Sequence, residues 1–141
     1  MQSEKQEAIQ SSMNQLKNYL DTSNIESIKS HLETSNGSVA AQGSIASFIF
    51  YLRFQVTVSG GKTFNGEAGG LSSPGGGGFW GDIYTNDLGK LYRETVSFQF
   101  NATPVYLNIN FFNKNHECLG SMHAGSVSIV SGVGGGSGSW S

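Results

Sequence analysis

The stretch "SSPGGGGFWG", residues 72–81, places four consecutive glycines directly before Phe79 and Trp80. A glycine run of this length occurs in a flexible linker, in a phosphate-binding loop or at a tight corner of a folded chain. Strand-like patterns on both sides of the run disfavour the first two. We therefore predict a corner at the rim of a barrel, because glycine reaches positive φ freely and lets the chain reverse. Phe79 and Trp80 should then face opposite sides of the next strand, one inward and one outward, and "GGGSGSW" at 134–140 should form a similar corner before Trp140.

The composition indicates one small and nearly neutral domain. A chain of 141 residues is long enough for one domain and short for two. A net charge of −2 with 13% charged residues gives no electrostatic basis for binding nucleic acid. Cys118 is the single cysteine, so no intramolecular disulfide can form. No stretch approaches the ~18 consecutive apolar residues of a membrane-spanning helix, and the first residues do not have the pattern of a signal peptide.

The chain divides at Gly37, because all 20 glycines lie at or after that position. Before it, apolar residues recur at the three- and four-residue intervals of an amphipathic helix. We predict a short α-helical N-terminal arm over residues 1–36, with a partly disordered leader as the alternative, and a separate domain over residues 37–141. The apolar positions of the arm are Ile9, Met13, Leu16 and Leu20, followed by Ile25, Ile28 and Leu32 in a second short helix.

After Gly37, apolar and polar residues alternate with a period of two, which is typical of strands with one face in a core. In the first long strand, Phe48 and Phe50 belong to the core face. About eight strands with turns at this spacing predict an all-β sandwich or barrel, and nine phenylalanines, mostly on one face, favour a filled interior. Between strands, Asn86 or Asp87 can cap one helical turn within 85–94. The predicted strands are 39–45, 48–59, 62–67, 79–84, 95–100, 105–111, 118–124 and 127–133.

Two glycine-containing motifs resemble nucleotide-binding loops but stand in the wrong context. "GGKT" at 60–63 resembles the end of a P-loop, yet the preceding strand leads into another strand. Gly76, Gly78 and Gly81 have the spacing of a dinucleotide fingerprint, which requires a helix after the glycines. The pattern here continues as a strand, so we predict no cofactor-binding residues.

Metal-binding and catalytic patterns are equally incomplete. His116 and His123 do not share the strand face of Cys118, and too few further ligands stand nearby to complete a zinc site. No catalytic serine motif occurs. We therefore predict no catalytic and no metal-binding residues, and a protein that is not an enzyme. The acids nearest to one another after the glycine run, interpreted as solvated loop charges, are Asp82, Asp87 and Glu94.

Six motifs in fixed order resemble the virulence-associated protein (Vap) family. They are AGGL at 68–71, PGGGGFWG at 74–81, TNDLGKLY at 85–92, TVSFQFN at 95–101, YLNINFF at 106–112 and GVGGGSGSW at 132–140. The resemblance runs from about Phe48 to Trp140, roughly two-thirds of the chain, and leaves residues 1–36 unmatched. The positions that carry the signature are Gly69, Gly70, Pro74, Trp80, Gly81, Asp87, Leu88, Tyr92, Asn108, Asn110 and Trp140.

The resemblance implies a compact, closed, eight-stranded antiparallel β-barrel with no ligand cavity, no catalytic site and no cofactor. It also implies a secreted bacterial protein that helps survival inside host phagocytes, through effects on phagosome maturation and on endolysosomal acidity and membranes. The expected partner is then a host endolysosomal membrane or lipid, not nucleic acid, and we expect a monomer. The alternative is a barrel that carries a small ligand or lipid, which would need small inward residues that leave a cavity.

Overall fold

The computed structural model describes residues 37–72, 74–103, 106–126 and 132–141. The predicted helical arm, 1–36, lies outside these residues and stays a prediction. The described chain contains eight strands and one short helix, and no helix within it is long and apolar enough to cross a membrane. The elements are β1 (Ser38–Ser47), β2 (Tyr51–Val58), β3 (Thr63–Ser72), β4 (Gly75–Tyr84), α1 (Leu88–Glu94), β5 (Ser97–Ala102), β6 (Tyr106–Phe112), β7 (Cys118–Ser126) and β8 (Gly132–Trp140).

The strands form a closed antiparallel barrel in the order β1-β2-β3-β8-β5-β6-β7-β4. The predicted eight-stranded antiparallel barrel is thereby confirmed. Closure leaves no unpaired strand edge. Because each pair is antiparallel, the barrel has two distinct rims. We call the one at the ends of β1, β3, β5 and β7 the hairpin rim, and the opposite one, where α1 joins β4 to β5, the helix rim.

Side chains fill the barrel interior, as the alternation predicted. Phe54 packs against Phe98 and Phe100 with ring centroids 5.2 and 4.9 Å apart. Phe64 packs edge-on against Phe98 and Phe111 at 5.3 and 5.1 Å. Such tilted and edge-to-face contacts are favourable beyond the area they bury. All five rings are buried, together with aliphatic residues from the other strands.

The prediction that the four glycines form a corner was wrong. Gly75–Gly78 are the first residues of β4 and pair in register with Ser47–Ser44 of β1. The chain reverses before them, between Ser72 and Gly75, and Gly75 has a φ of 134°. A Cβ on Gly76 would lie 2.9 Å from the Ile45 carbonyl oxygen, so the close pairing of β4 with β1 favours glycine at this position. The prediction for the next two residues is confirmed, since Phe79 is 2% and Trp80 56% exposed.

The glycine-rich C-terminal end is also a strand and not a corner. β8 lies between β3 and β5, and the buried Trp140 pairs with Phe64. A Cβ on Gly136 would lie 1.9 Å from the Glu67 carbonyl oxygen, because β8 approaches β3 too closely for a side chain. The predicted strand 127–133 overlaps β8 only at residues 132–133, and 127–131 lie outside the described residues.

The first long strand begins later than predicted, and this exposes two aromatic residues. The backbone turns between Ser47 and Tyr51, where Ile49 adopts a φ of 82°. Phe48 and Phe50, expected in the core, are instead 62% and 72% exposed. Apolar alternation continues through the turn, so periodicity alone does not reveal where the strand stops.

Candidate functional surface

Four of the signature positions close the helix rim. Asp87 caps α1 by accepting a hydrogen bond from the Lys90 backbone N–H at 3.0 Å, and Leu88 packs against the core. The Tyr92 ring lies 5.2 Å from the Trp140 ring, and its hydroxyl accepts a hydrogen bond from the Lys62 N–H at 3.3 Å. Trp140 in turn contacts Phe64 at 5.4 Å. These residues hold the end of the barrel closed.

The glycines of the signature lie where strands pair. Gly69 and Gly70 of β3 pair with Gly135 and Gly134 of β8. A Cβ on Gly81 would lie 2.1 Å from the His123 carbonyl oxygen of β7. Gly81 is therefore required by the distance between the β4 and β7 backbones. Two further signature residues are exposed: Pro74 at the β3–β4 turn and Trp80 on the barrel wall.

Asn108 and Asn110 belong to a polar network on the outer face of β6. Both side chains are completely buried, although they alternate with the core residues of that strand. The Asn110 amide donates to Asn108 Oδ1 at 2.8 Å and to Gln99 Oε1 at 3.0 Å. The Asn108 amide donates to the Met122 carbonyl at 3.0 Å, and the Ser121 hydroxyl donates to Asn110 Oδ1. The network links β5, β6 and β7, so it stabilises the wall of the barrel.

His123 extends this network without the environment of a catalytic base. Its Nδ1 shares a hydrogen bond with the Tyr106 hydroxyl, and its Nε2 lies 3.4 Å from Ser121 Oγ. Burial lowers the pKa of His123 to about 4, because the charged imidazolium is poorly solvated there. The ring is therefore neutral near pH 7.

The other residues considered for chemistry do not assemble into a site. Burial raises the pKa of the Cys118 thiol to about 12, so the nucleophilic thiolate is disfavoured. His116 lies in the β6–β7 turn with a φ of 62°. Glu94 accepts a hydrogen bond from Asn113 Nδ2 at 3.3 Å. In the part of the chain that the structure describes, no three His, Cys, Asp or Glu side chains are grouped as metal ligands.

Two of the open grooves that the described residues line have volumes of several hundred Å³. One, of about 460 Å³, lies beside Trp80 and runs between β1, β2 and β4 over Gly43 and Gly78. The other, of about 390 Å³, lies at the helix rim between Arg93 and Lys114. Both lie on the outside of the barrel, so neither provides the enclosed site of a carrier barrel.

A group of exposed apolar side chains at the hairpin rim is the feature that sequence reasoning missed. The three residues of the β1–β2 turn and the first residue of β2 expose their side chains. We call these four residues the aromatic tip: Phe48, Ile49, Phe50 and Tyr51, which are 62%, 41%, 72% and 40% exposed. The rings of the first and last lie 6.1 Å apart. The sequence feature that could have indicated the tip is the run "SFIFYL" at 47–52, which contains no glycine and no charge. The same run is equally typical of a buried strand.

Comparison with known proteins agrees with this geometry. The sequence model of the family described as Rhodococcus equi virulence-associated protein matches residues 1–141, which extends the similarity beyond 48–140 to the N-terminal residues. The solved structure of the virulence-associated protein VapD from the intracellular pathogen Rhodococcus equi is 46% identical, with a TM-score of 0.74 over 76% of this chain and 99% of that one. VapB from the same organism is 50% identical, with a TM-score of 0.70 over 74% of this chain and 96% of that one. A comparison with curated proteins found no match. The chain belongs to the Rhodococcus equi virulence-associated protein family.

Proposed function

We propose that this member of the family is a secreted, non-enzymatic virulence effector that acts on host endolysosomes, with their membranes as its partner. The observation that carries the proposal is the match of the family's sequence model to residues 1–141. The similar structures are those of virulence-associated proteins from an intracellular pathogen, so a target inside the host cell is consistent with them.

The chemistry of the described residues supports an effector that acts by contact. The signature residues close the helix rim, pair strands or form the buried network. The network brings the Ser121 hydroxyl near His123, but Ser121 is completely buried and its hydroxyl donates to Asn110, so a substrate has no access to it as a nucleophile. The most perturbed ionisable groups are a neutral His123 and a protonated Cys118, which are poor candidates for acid–base or nucleophilic work near pH 7.

The carrier alternative has less support. A carrier barrel encloses its ligand in an interior cavity, whereas the inward positions of this barrel hold packed phenylalanine and aliphatic side chains. A ligand would have to bind on the outside, for example in the open groove beside Trp80.

The proposal is tested by delivering the purified protein to macrophage endolysosomes and recording their pH with a ratiometric dye. We expect the endolysosomal pH to rise relative to cells that receive the heat-unfolded protein. Single substitutions of candidate chemical groups, such as Cys118→Ser and His116→Ala, should leave this effect intact in folded protein. An unchanged pH would refute the function, and a folded variant without activity would refute the non-enzymatic interpretation.

A further inference from the structure

We propose that the hairpin rim is a lipid-docking surface that inserts the aromatic tip into the interface of an electrically neutral bilayer. The inference rests on the proposed function in that it takes a membrane as the partner. It adds which end of the barrel meets the membrane and which forces hold it there.

The aromatic tip has the side chains and the shape for this role. Phe48 and Phe50 are the two most exposed large apolar residues in the part of the chain that the structure describes. Both lie in the hairpin turn between β1 and β2, and the left-handed φ of Ile49, 82°, is an unfavourable conformation for a β-branched residue. Exposed apolar groups and local strain of this kind mark a surface retained for a partner.

Charge is distributed unequally between the two ends of the barrel. The segments that run to the hairpin rim, 37–52, 68–81, 97–112 and 118–141, contain no Asp, Glu, Lys or Arg. On the barrel wall, the first charges beyond the tip are Arg53 and Glu67, which pair across β2 and β3. Seven of the ten charged residues after Gly37 lie instead in the connections of the helix rim: Lys62, Asp87, Lys90, Arg93, Glu94, Lys114 and Glu117.

An uncharged apolar rim opposite a charged rim fits a bilayer better than a protein partner. A stable protein interface buries about 800 Å² on each side, whereas four side chains at the tip of one hairpin offer roughly half of that. A small group of exposed apolar side chains suits insertion among lipid headgroups, where aromatic side chains are favoured. Insertion of Phe48, Ile49 and Phe50 desolvates no ion, and the charged helix rim remains in water. The Tyr51 hydroxyl interacts with the Glu67 carboxylate, so Tyr51 lies at the depth where the uncharged part of the rim ends. With five acidic and five basic residues after Gly37, the domain has no net charge to attract anionic lipid.

The first test places a fluorophore at each end of the full chain. In a Trp80→Phe background, Trp140 remains as a buried internal reference, and Phe48→Trp or Val96→Trp adds one exposed indole. Val96 is the matched position because it is 48% exposed and lies beside α1 at the helix rim. With phosphatidylcholine vesicles that contain brominated acyl chains, we expect quenching of F48W and none of V96W. Equal quenching of the two, or quenching of neither, would overturn the proposal.

The second test removes the tip and measures vesicle binding by flotation. We expect Phe48→Ser with Phe50→Ser to lower the partition coefficient on phosphatidylcholine vesicles at least about tenfold, and Val96→Ser to leave it unchanged. Wild-type binding should persist in 1 M salt, because it does not depend on charge. An unchanged F48S/F50S variant would refute the role of the tip. A dimer of the wild type that the two serines abolish would assign the tip to a second copy of the chain and so refute the lipid partner.

Both vesicle tests are independent of the effect on endolysosomes. Vesicle binding through the tip without any rise in endolysosomal pH would refute the proposed function and support the docking surface. A rise in pH without vesicle binding would support the proposed function and refute the docking surface.

Discussion

A single methyl group added to Gly81 should destabilise the barrel strongly, because the atoms it would meet belong to the backbone of β7. The ideal Cβ lies 2.1 Å from the His123 carbonyl oxygen and 2.6 Å from the Ala124 Cα. Neither atom can be moved by rotating a side chain, so β4 and β7 must separate locally. Inserting a methyl group into a packed site costs about 1–3 kcal/mol, and we expect Gly81→Ala at the upper end of that range.

The matched control is Gly69→Ala. Gly69 also lies in a strand, but nothing is within 4 Å of its ideal Cβ and its φ is ordinary. Replacing an unstrained glycine reduces the entropy of the unfolded chain, so we expect G69A to be neutral or more stable by about 0.4–1 kcal/mol.

Equilibrium unfolding in urea, followed by far-UV circular dichroism, measures both variants. For a slope of about 1–3 kcal/mol per molar urea, a loss of about 3 kcal/mol lowers the midpoint of G81A by about 1–3 M. The midpoint of G69A should stay at or slightly above that of the wild type. Equal midpoints for G81A and G69A would refute the argument that strand spacing dictates glycine at position 81.

Three further predictions concern the half-buried His123 and Cys118 and the buried Trp140. The pKa of His123 in the folded protein, about 4, lies below its ordinary value of 6.5, so the unfolded chain binds more protons between these two pH values. The free energy of unfolding should therefore fall by on the order of 3 kcal/mol as the pH drops from 6.5 to 4. Urea midpoints measured against pH test this loss, and His123→Gln should remove it. The Cys118 thiol is half-buried and has a pKa of about 12. It should react with a disulfide reagent at pH 8 at least about 100-fold more slowly than a free thiol, and at an ordinary rate after unfolding. A fast rate in the folded protein would contradict the raised pKa. Trp140→Ala should lower the free energy of unfolding by about 3–5 kcal/mol, measured by thermal unfolding, because it removes the ring against which Tyr92 and Phe64 pack. A loss below about 1 kcal/mol would show that the stability of the helix rim does not depend on that ring.

Local patterns in the sequence determined most of the strands and which of their faces are apolar. Alternation with a period of two follows from strand geometry, so it identified the inward faces of β2, β5 and β6 from residues such as Phe54, Phe100 and Ile109. It also predicted that Phe79 and Trp80 face opposite sides of their strand, and the structure shows that Phe79 is the inward one. The family motifs established the antiparallel closure, which no local pattern specifies.

Tertiary structure decided the features that depend on distances between strands. Gly75–Gly78 form a strand and not a corner because β1 pairs with them. Glycine is required at position 81 because β7 lies close to β4, and at position 136 because β3 lies close to β8. The burial of Asn108 and Asn110 likewise depends on partners from β5 and β7.

The exposure of the aromatic tip also depends on tertiary structure and not on the local pattern. The alternation through "SFIFYL" specifies two faces but does not specify where the backbone turns. The pairing of β1 with β2 ends at Ser47 and Leu52, and a hydrogen bond from the Phe48 N–H to the Tyr51 carbonyl closes the turn. This turn places Phe48 and Phe50 outside the barrel. A hydrophobic pattern therefore identified which residues could be buried, and only the pairing of distant strands decided which of them are buried.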